Sequence, residues 1–386
     1  MNKRKKLIGI IAILLVIVIV GILCKSMKKG DREISSSDMT YSFMQESYLP
    51  EGMFQFDGDF LRFTDAVTGI SSIICDDVSC MHQAKRNSEC GALFYGTLGL
   101  RGMTIQDGHL IYMTSKGGIG DYAVYRCEFN GKNRKEIAEL PYMETIYMVS
   151  YYEDIAYIGY VNELASDLEN YVEAQTGVYA LNLTTGKGKD IFKQEGYQAS
   201  VSSLFVNEKY ISFCCCYVDA EADAILAHKE DENYTKEHLK EAVIVIDKDN
   251  GKQILSVDGQ CFGAAVIVDE HIMYVKDEIT YMHDIKAGEG RSIIDAELSQ
   301  IPAFGEDFMF MKGYEEETGK CIYYSYLPEK NELIELGKSE FVVEAICGDV
   351  VYLYGISGGG ISQCGFMEKK DFVKGNYEKA RWSEIK

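Results

Sequence analysis

Proline is scarce in this chain, at 4 of 386 residues, and tryptophan occurs once, at Trp382. A composition so poor in proline, with 47% hydrophobic and 12% aromatic residues, argues against disorder beyond the N-terminal segment. A single tryptophan makes the usual stacking platform for sugars scarce. Cations are also in deficit, at 39 against 60 acidic residues. Seven of those cations stand within residues 1–29, which carry no acid, so the remainder holds 32 against 60, or 32 − 60 = −28. Binding of nucleic acid needs clustered cations, and this balance excludes it for the average face of the domain. A cation, a cationic peptide or a cationic protein is the easier partner, although acidity also serves solubility alone. No Gly-rich phosphate loop follows a strand and opens a helix, and the order of Ser, His and Asp marks no triad.

Charge is also absent from residues 7–24, LIGIIAILLVIVIVGILC, an uninterrupted run of 18. At the α-helical rise this segment spans roughly 27 Å, close to the thickness of a hydrocarbon core, and it reads as one transmembrane helix. Lys3, Arg4, Lys5 and Lys6 precede it and favour a cytoplasmic N-terminus with the rest of the chain outside, against Lys25, Lys28, Lys29 and Arg32 on the far side. Leu23 before Cys24 makes a poor lipidation site, so an uncleaved signal anchor is the expectation. Residues 1–29 are then tail and anchor, 30–40 a flexible linker, and 41–386 the folded domain.

What the rest of the chain has is a repeat. At 51–56, 107–112, 153–157, 207–212, 269–274, 306–310 and 347–352 a turn of small or polar residues runs into a hydrophobic stretch that ends on an aromatic, except at Ser212. Intervals of about 36 to 62 residues between short strand patterns are the signature of a β-propeller, so the expected fold is all-β, a seven-bladed β-propeller preceded by one transmembrane helix. Turns such as Asn130-Gly131, Thr185-Gly186 and Asn250-Gly251 supply hairpins. Residues 377–385 are placed to add an outer strand near the first blade and close the ring. Three intervals are stretched, by insertions at 75–97, 160–177 and 218–241, the last helix-permissive. The second and third are candidate lids.

The first insertion has the most pointed chemistry. Cys75, Cys80, His82 and Cys90 form C-x4-C-x-H-x7-C, and three thiols with one imidazole are the soft donors that tetrahedral Zn²⁺ prefers. A disulfide with one odd thiol, or a loop of free cysteines, are the alternatives. Four protein ligands would close the coordination sphere and make the metal structural. Elsewhere, Gly355-Ile356-Ser357-Gly358-Gly359 imitates a nucleophile elbow but lacks the following helix, and 247–251 reads as a hairpin turn more readily than as a calcium loop. Cys214 and Cys216 share one face of a strand and Cys215 the other, which suits core packing.

The Cys75, Cys80, His82, Cys90 and Ala92 pattern, set after the first blade and behind a membrane signal, resembles uncharacterised surface propeller proteins of clostridia and related Gram-positive anaerobes, a domain-of-unknown-function and TolB-like group. That resemblance covers about residues 41–386 and implies the fold and a cell-surface location, with no activity. The expected role is a membrane-anchored binding or scaffolding module outside the cell, for a protein or polymer ligand. The alternative is a surface lyase or hydrolase acting on a polymer at the propeller face.

Overall fold

The computed structural model of the chain describes residues 39–385, apart from 44–45, 57–58, 84–88, 95–99, 168–170, 229–230, 305–307 and 357–361. The run at 7–24 lies outside them, and among the described residues no helix is long and apolar enough to cross a membrane. Strands dominate and repeat one plan, an antiparallel meander in sequence order. The first sheet is Glu46–Leu49, Gly52–Phe56, Leu61–Asp65 and Ile70–Ile73. The second is Arg101–Gln106, His109–Ser115, Tyr122–Glu128 and Lys135–Glu139. Further meanders cover residues 145–258, 267–294, 299–339 and 342–382. Radially repeated meanders of this kind are the construction of a β-propeller.

Within each meander, position decides composition. The second strand His271–Lys276 is buried at its four middle residues, while the outermost strand of that meander, Glu289–Ile294, is exposed at its first four. An inner strand packed on both faces reads as a continuous apolar run, and an edge strand can be polar. Turn chemistry sets the register. At residues 65–69, 182–186, 247–251, 284–288 and 315–319 the closing glycine has φ between +66° and +71°, and its N–H donates to the carbonyl four residues back at 2.8–2.9 Å. A side chain there would be strained, which is why glycine recurs. Asp247 Oδ1 accepts from the N–H groups of Asp249 and Asn250, so those residues brace a hairpin. His109 and His271 brace theirs through Nδ1 and the carbonyls of Asp107 and Asp269, at 2.8 and 2.6 Å. Ser212, the non-aromatic exception, is buried and donates to the Ala265 and Phe205 carbonyls, where an aromatic ring would block the approach of the next segment.

One of the stretched intervals differs from expectation in an informative way. Residues 160–177 are no loop insertion. They are the prolonged arms of one hairpin, Ile155–Asp167 and Tyr171–Asn182, paired from Ile155↔Asn182 to Asp167↔Tyr171. The 19-residue strand Gly188–Val206 pairs first with this hairpin and then with Tyr210–Val218, so it belongs to two successive meanders. The interval 218–241 does hold helices, Ala222–Ala227 and Glu232–His238, the second capped by Asp231, whose side chain accepts from the N–H groups of Asn233 and Tyr234. Strand Met39–Phe43 lies between Glu46–Leu49 and Thr145–Tyr152, joining the first and third meanders into one thirteen-stranded ladder. At the other end, Glu384–Ile385 adds to Ile70–Ser71 in parallel, as the expected closing strand.

One buried group gives the fold a pH dependence. His283, 7% exposed on the strand Ile279–Asp284, has no hydrogen-bond partner on either ring nitrogen among the described residues, and burial lowers its pKa, against a smaller opposing pull from Asp284. The folded state therefore prefers neutral imidazole. Below about pH 6.5 the unfolded chain binds the proton more readily, and stability falls as pH falls through that window. Thermal unfolding between pH 7.5 and 5 should show a falling midpoint that His283→Leu flattens. An unchanged slope in the variant would contradict the assignment.

Candidate metal centre

The loop from Ile74 to Phe94 wedges between the first two sheets. On one side the Leu61 N–H donates to Ala92 O at 3.0 Å and the Phe94 N–H to Asp59 O at 3.0 Å, continuing the first sheet. On the other side the loop meets the hairpin turn of the second sheet. Asp76 accepts from Asn130 Nδ2 at 2.8 Å and Lys132 Nζ at 3.0 Å, and those two hydrogen bonds hold its carboxyl below the usual range. Arg134 reaches back across the gap. Its Nη2 donates to Gly91 O and, at 2.9 Å, to Leu93 O, while its guanidinium lies 3.9 Å from the centre of the Phe94 ring. Gly91 and Gly131 allow backbone to touch backbone. A Cβ on Gly131 would stand 2.1 Å from Gly91 O, and one on Gly91 2.3 Å from Asn130 O.

Inside this wedge the expected ligand set converges. The donor atoms of Cys75, Cys80, His82 and Cys90 all lie within 4.8 Å of one another. Cys90 Sγ stands 3.7 Å from His82 Nδ1, and a zinc–sulfur bond of about 2.3 Å places tetrahedral ligands roughly 3.8 Å apart. All three cysteines stand as free thiols. Cys90 is buried and the other three are half-buried. Burial pushes the Cys90 thiol up to about 12, whereas Cys80, which accepts from the His82 backbone N–H, is held below its ordinary value. A metal ion bound there would deprotonate its coordinating thiols outright.

Ile74, Leu93 and Phe94 are buried at the ends of the loop, but the stretch between Cys75 and His82 has no buried apolar side chain. Val78 is fully exposed and Met81 is 78% exposed, while the four polar donors turn inward. Hydrophobic burial therefore does not order that stretch. His82 also adopts φ +46°, in the left-handed region that costs a side-chain-bearing residue about 1–2 kcal/mol. These residues therefore fit a metal ion, by number, donor type and separation. Sequence reasoning found all four because their spacing is local. It missed Arg134, whose contacts are 41 and 43 residues away and leave no local signal. Ser357, of the elbow-like motif, lies outside the described residues.

No family model matches the chain. No curated protein matches its sequence. Solved structures align with it at low identity. The acylaminoacyl peptidase of Pyrococcus horikoshii is 14% identical over 73% of this chain and 45% of its own, with a TM-score of 0.48. The β-propeller domain of the Trilobed protease from Pyrococcus furiosus is 14% identical over 70% of this chain and 81% of its own, at 0.45. An oligogalacturonate lyase from Vibrio parahaemolyticus is 12% identical over 71% and 74%, at 0.47. This chain spans less than half of the peptidase's length. Similarity at this level says nothing of activity.

The glycine contact makes a quantitative test of the wedge. Gly131→Ala meets both a positive φ and the Gly91 carbonyl, whereas Gly108→Ala, at φ +69° with open space around it, meets the strain alone. Urea unfolding should show a loss of about 1 kcal/mol for Gly108→Ala and roughly 2–3 kcal/mol for Gly131→Ala. Equal losses would mean that the two backbones do not touch.

Proposed function

We propose that this chain is a single-pass membrane protein that displays a seven-bladed β-propeller outside the cell as a binding or scaffolding module, with a structural zinc clip between its first two blades. Support for a closed ring comes from one observation above the others. Tyr48, Met148, Ser202, Gln300 and Glu344 stand on the first strands of different units, yet all line one cavity of about 240 Å³. First strands that meet around a common cavity are what a central channel requires. Grouping the strands by their turns gives seven four-stranded units, with Gly188–Val206 shared between the third and fourth. The anchor reading rests on residues 7–24 alone, and the external placement on the cations before them.

A binding role suits a rigid scaffold with long projections. The prolonged hairpin at 155–182 and the helices at 222–238 both leave the connection between the second and third strands of their units, so they share one side of the ring and can frame a ligand there. The strongly acidic domain favours a cationic or amphoteric protein or polymer over an anionic one. The clip stabilises this frame rather than reacting, because four protein ligands leave zinc no open position.

Two measurements test the reading. Elemental analysis of the purified full-length chain should find about one zinc per chain, lost in Cys80→Ser, with affinity falling as pH falls because the ligands must lose protons. Absence of metal together with unaltered thiol titration would remove the clip. A chain beginning at Ser36 should give a β-type circular-dichroism spectrum as a soluble monomer, and a strongly helical spectrum would end the propeller reading.

A further inference from the structure

A cavity of about 710 Å³ opens among the turns of the fourth to sixth meanders, on the end of the ring opposite the helical insertion. Its walls combine Phe205 and Val266, both buried, with a charged group centred on Glu270. Glu270 Oε1 accepts from Lys209 Nζ at 3.0 Å and Lys286 Nζ at 3.2 Å, and its other oxygen accepts from the Tyr210 hydroxyl. Burial works to raise the pKa of this carboxyl, yet the three donors together hold it below its ordinary value. Its position is costly. Asp269 and Glu270 have φ of +46° and +63°, whereas the same turn in the second meander, Asp107-Gly108, places glycine at the second site. A glutamate there forgoes about 1–2 kcal/mol of turn stability.

What that carboxylate does is fix two ammonium groups on one oxygen. Lys209 and Lys286 are 62% and 73% exposed, so each keeps donors free to face the cavity. Two lysines and one glutamate leave a net positive charge at this point. Around it stand Glu208, Asp269 and Glu329, all exposed and lining the same cavity, with no ion pair among the described residues. A polyanion would be repelled by these three carboxylates, and a simple cation by the lysines. A ligand with one carboxylate and one ammonium satisfies both.

We propose that this cavity binds short peptides or amino acids, with the C-terminal carboxylate on Lys209 and Lys286 and the N-terminal ammonium toward Glu208, Asp269 and Glu329. The site deepens the binding-module reading and rests on it, since it assigns a ligand class to one mouth of the ring. Calorimetric titration of the full-length chain in detergent with the tripeptide Ala-Phe-Ala, its C-terminal amide and its N-acetyl form tests it directly. The free tripeptide should bind, and each blocked form should bind at least tenfold more weakly, which is about 1.4 kcal/mol. In Lys209→Gln with Lys286→Gln, the acid and the amide should bind alike. An amide that binds the unaltered chain as well as the acid does would overturn this site while leaving the binding module standing. So would no heat from any of the three peptides up to millimolar concentration, or a double variant that still prefers the acid.

Discussion

Closure of the ring by residues 381–385 is the contact on which the rest of the structure depends. Within five residues the chain pairs Arg381 and Trp382 with Phe366 and Gly365 of the last meander, then Glu384 and Ile385 with Ile70 and Ser71 of the first. Arg381 adds bonds to the carbonyls of Val67 and Ala66, the latter 315 residues away. Closing a loop of that length costs about 5 kcal/mol of chain entropy beyond a constant term. Two short strand pairings offset little of this alone. They are joined by the Tyr352 hydroxyl bond to Leu49 O, by the Tyr48–Tyr352 ring contact at 5.2 Å, and by Gln55 Nε2 on Cys364 Sγ at 2.9 Å. Trp382 fits because Gly355 and Gly365 leave room for its ring, a Cβ on either coming within 3 Å of it.

The chemistry of the cysteines follows from where each one falls in the packed sheets. Cys215 packs into the main core cluster, and Cys214, pointing to the opposite face of its strand, into another. Burial raises the pKa of Cys127, Cys214, Cys215 and Cys261. Such thiols stay protonated at neutral pH and act as small apolar groups. Cys80 differs in both respects, being half-buried and held toward the thiolate by the His82 backbone. Among the described residues it stands in the only cluster of three or more His, Cys, Asp or Glu side chains close enough together to hold a metal. The wedge that carries it braces the first and second meanders, next to the seam where first meets last.

How much of this was legible in the sequence depended on distance along the chain. Turns are local, so Thr68-Gly69, Thr185-Gly186 and Asn250-Gly251 announce their hairpins, and the C-x4-C-x-H-x7-C spacing announces a cluster. The hairpin at 155–182 was obscured because its protruding arms carry Asn162, Glu163 and an exposed Leu164, which break the alternation expected of a half-buried strand. The three partners of Glu270 lie on two further turns and needed the fold to assemble them. Arg134 was invisible for the same reason.

Trp382 is the chain's only tryptophan and stands at the closing seam, so its fluorescence reports that seam without labelling. Equilibrium urea unfolding of the chain followed at once by Trp382 emission and by far-ultraviolet circular dichroism tests the closure directly. If residues 381–385 hold the ring together, the two transitions coincide in midpoint and slope, since opening the seam unfolds the sheets. A fluorescence transition complete at a denaturant concentration where the β signal is still intact would contradict the account.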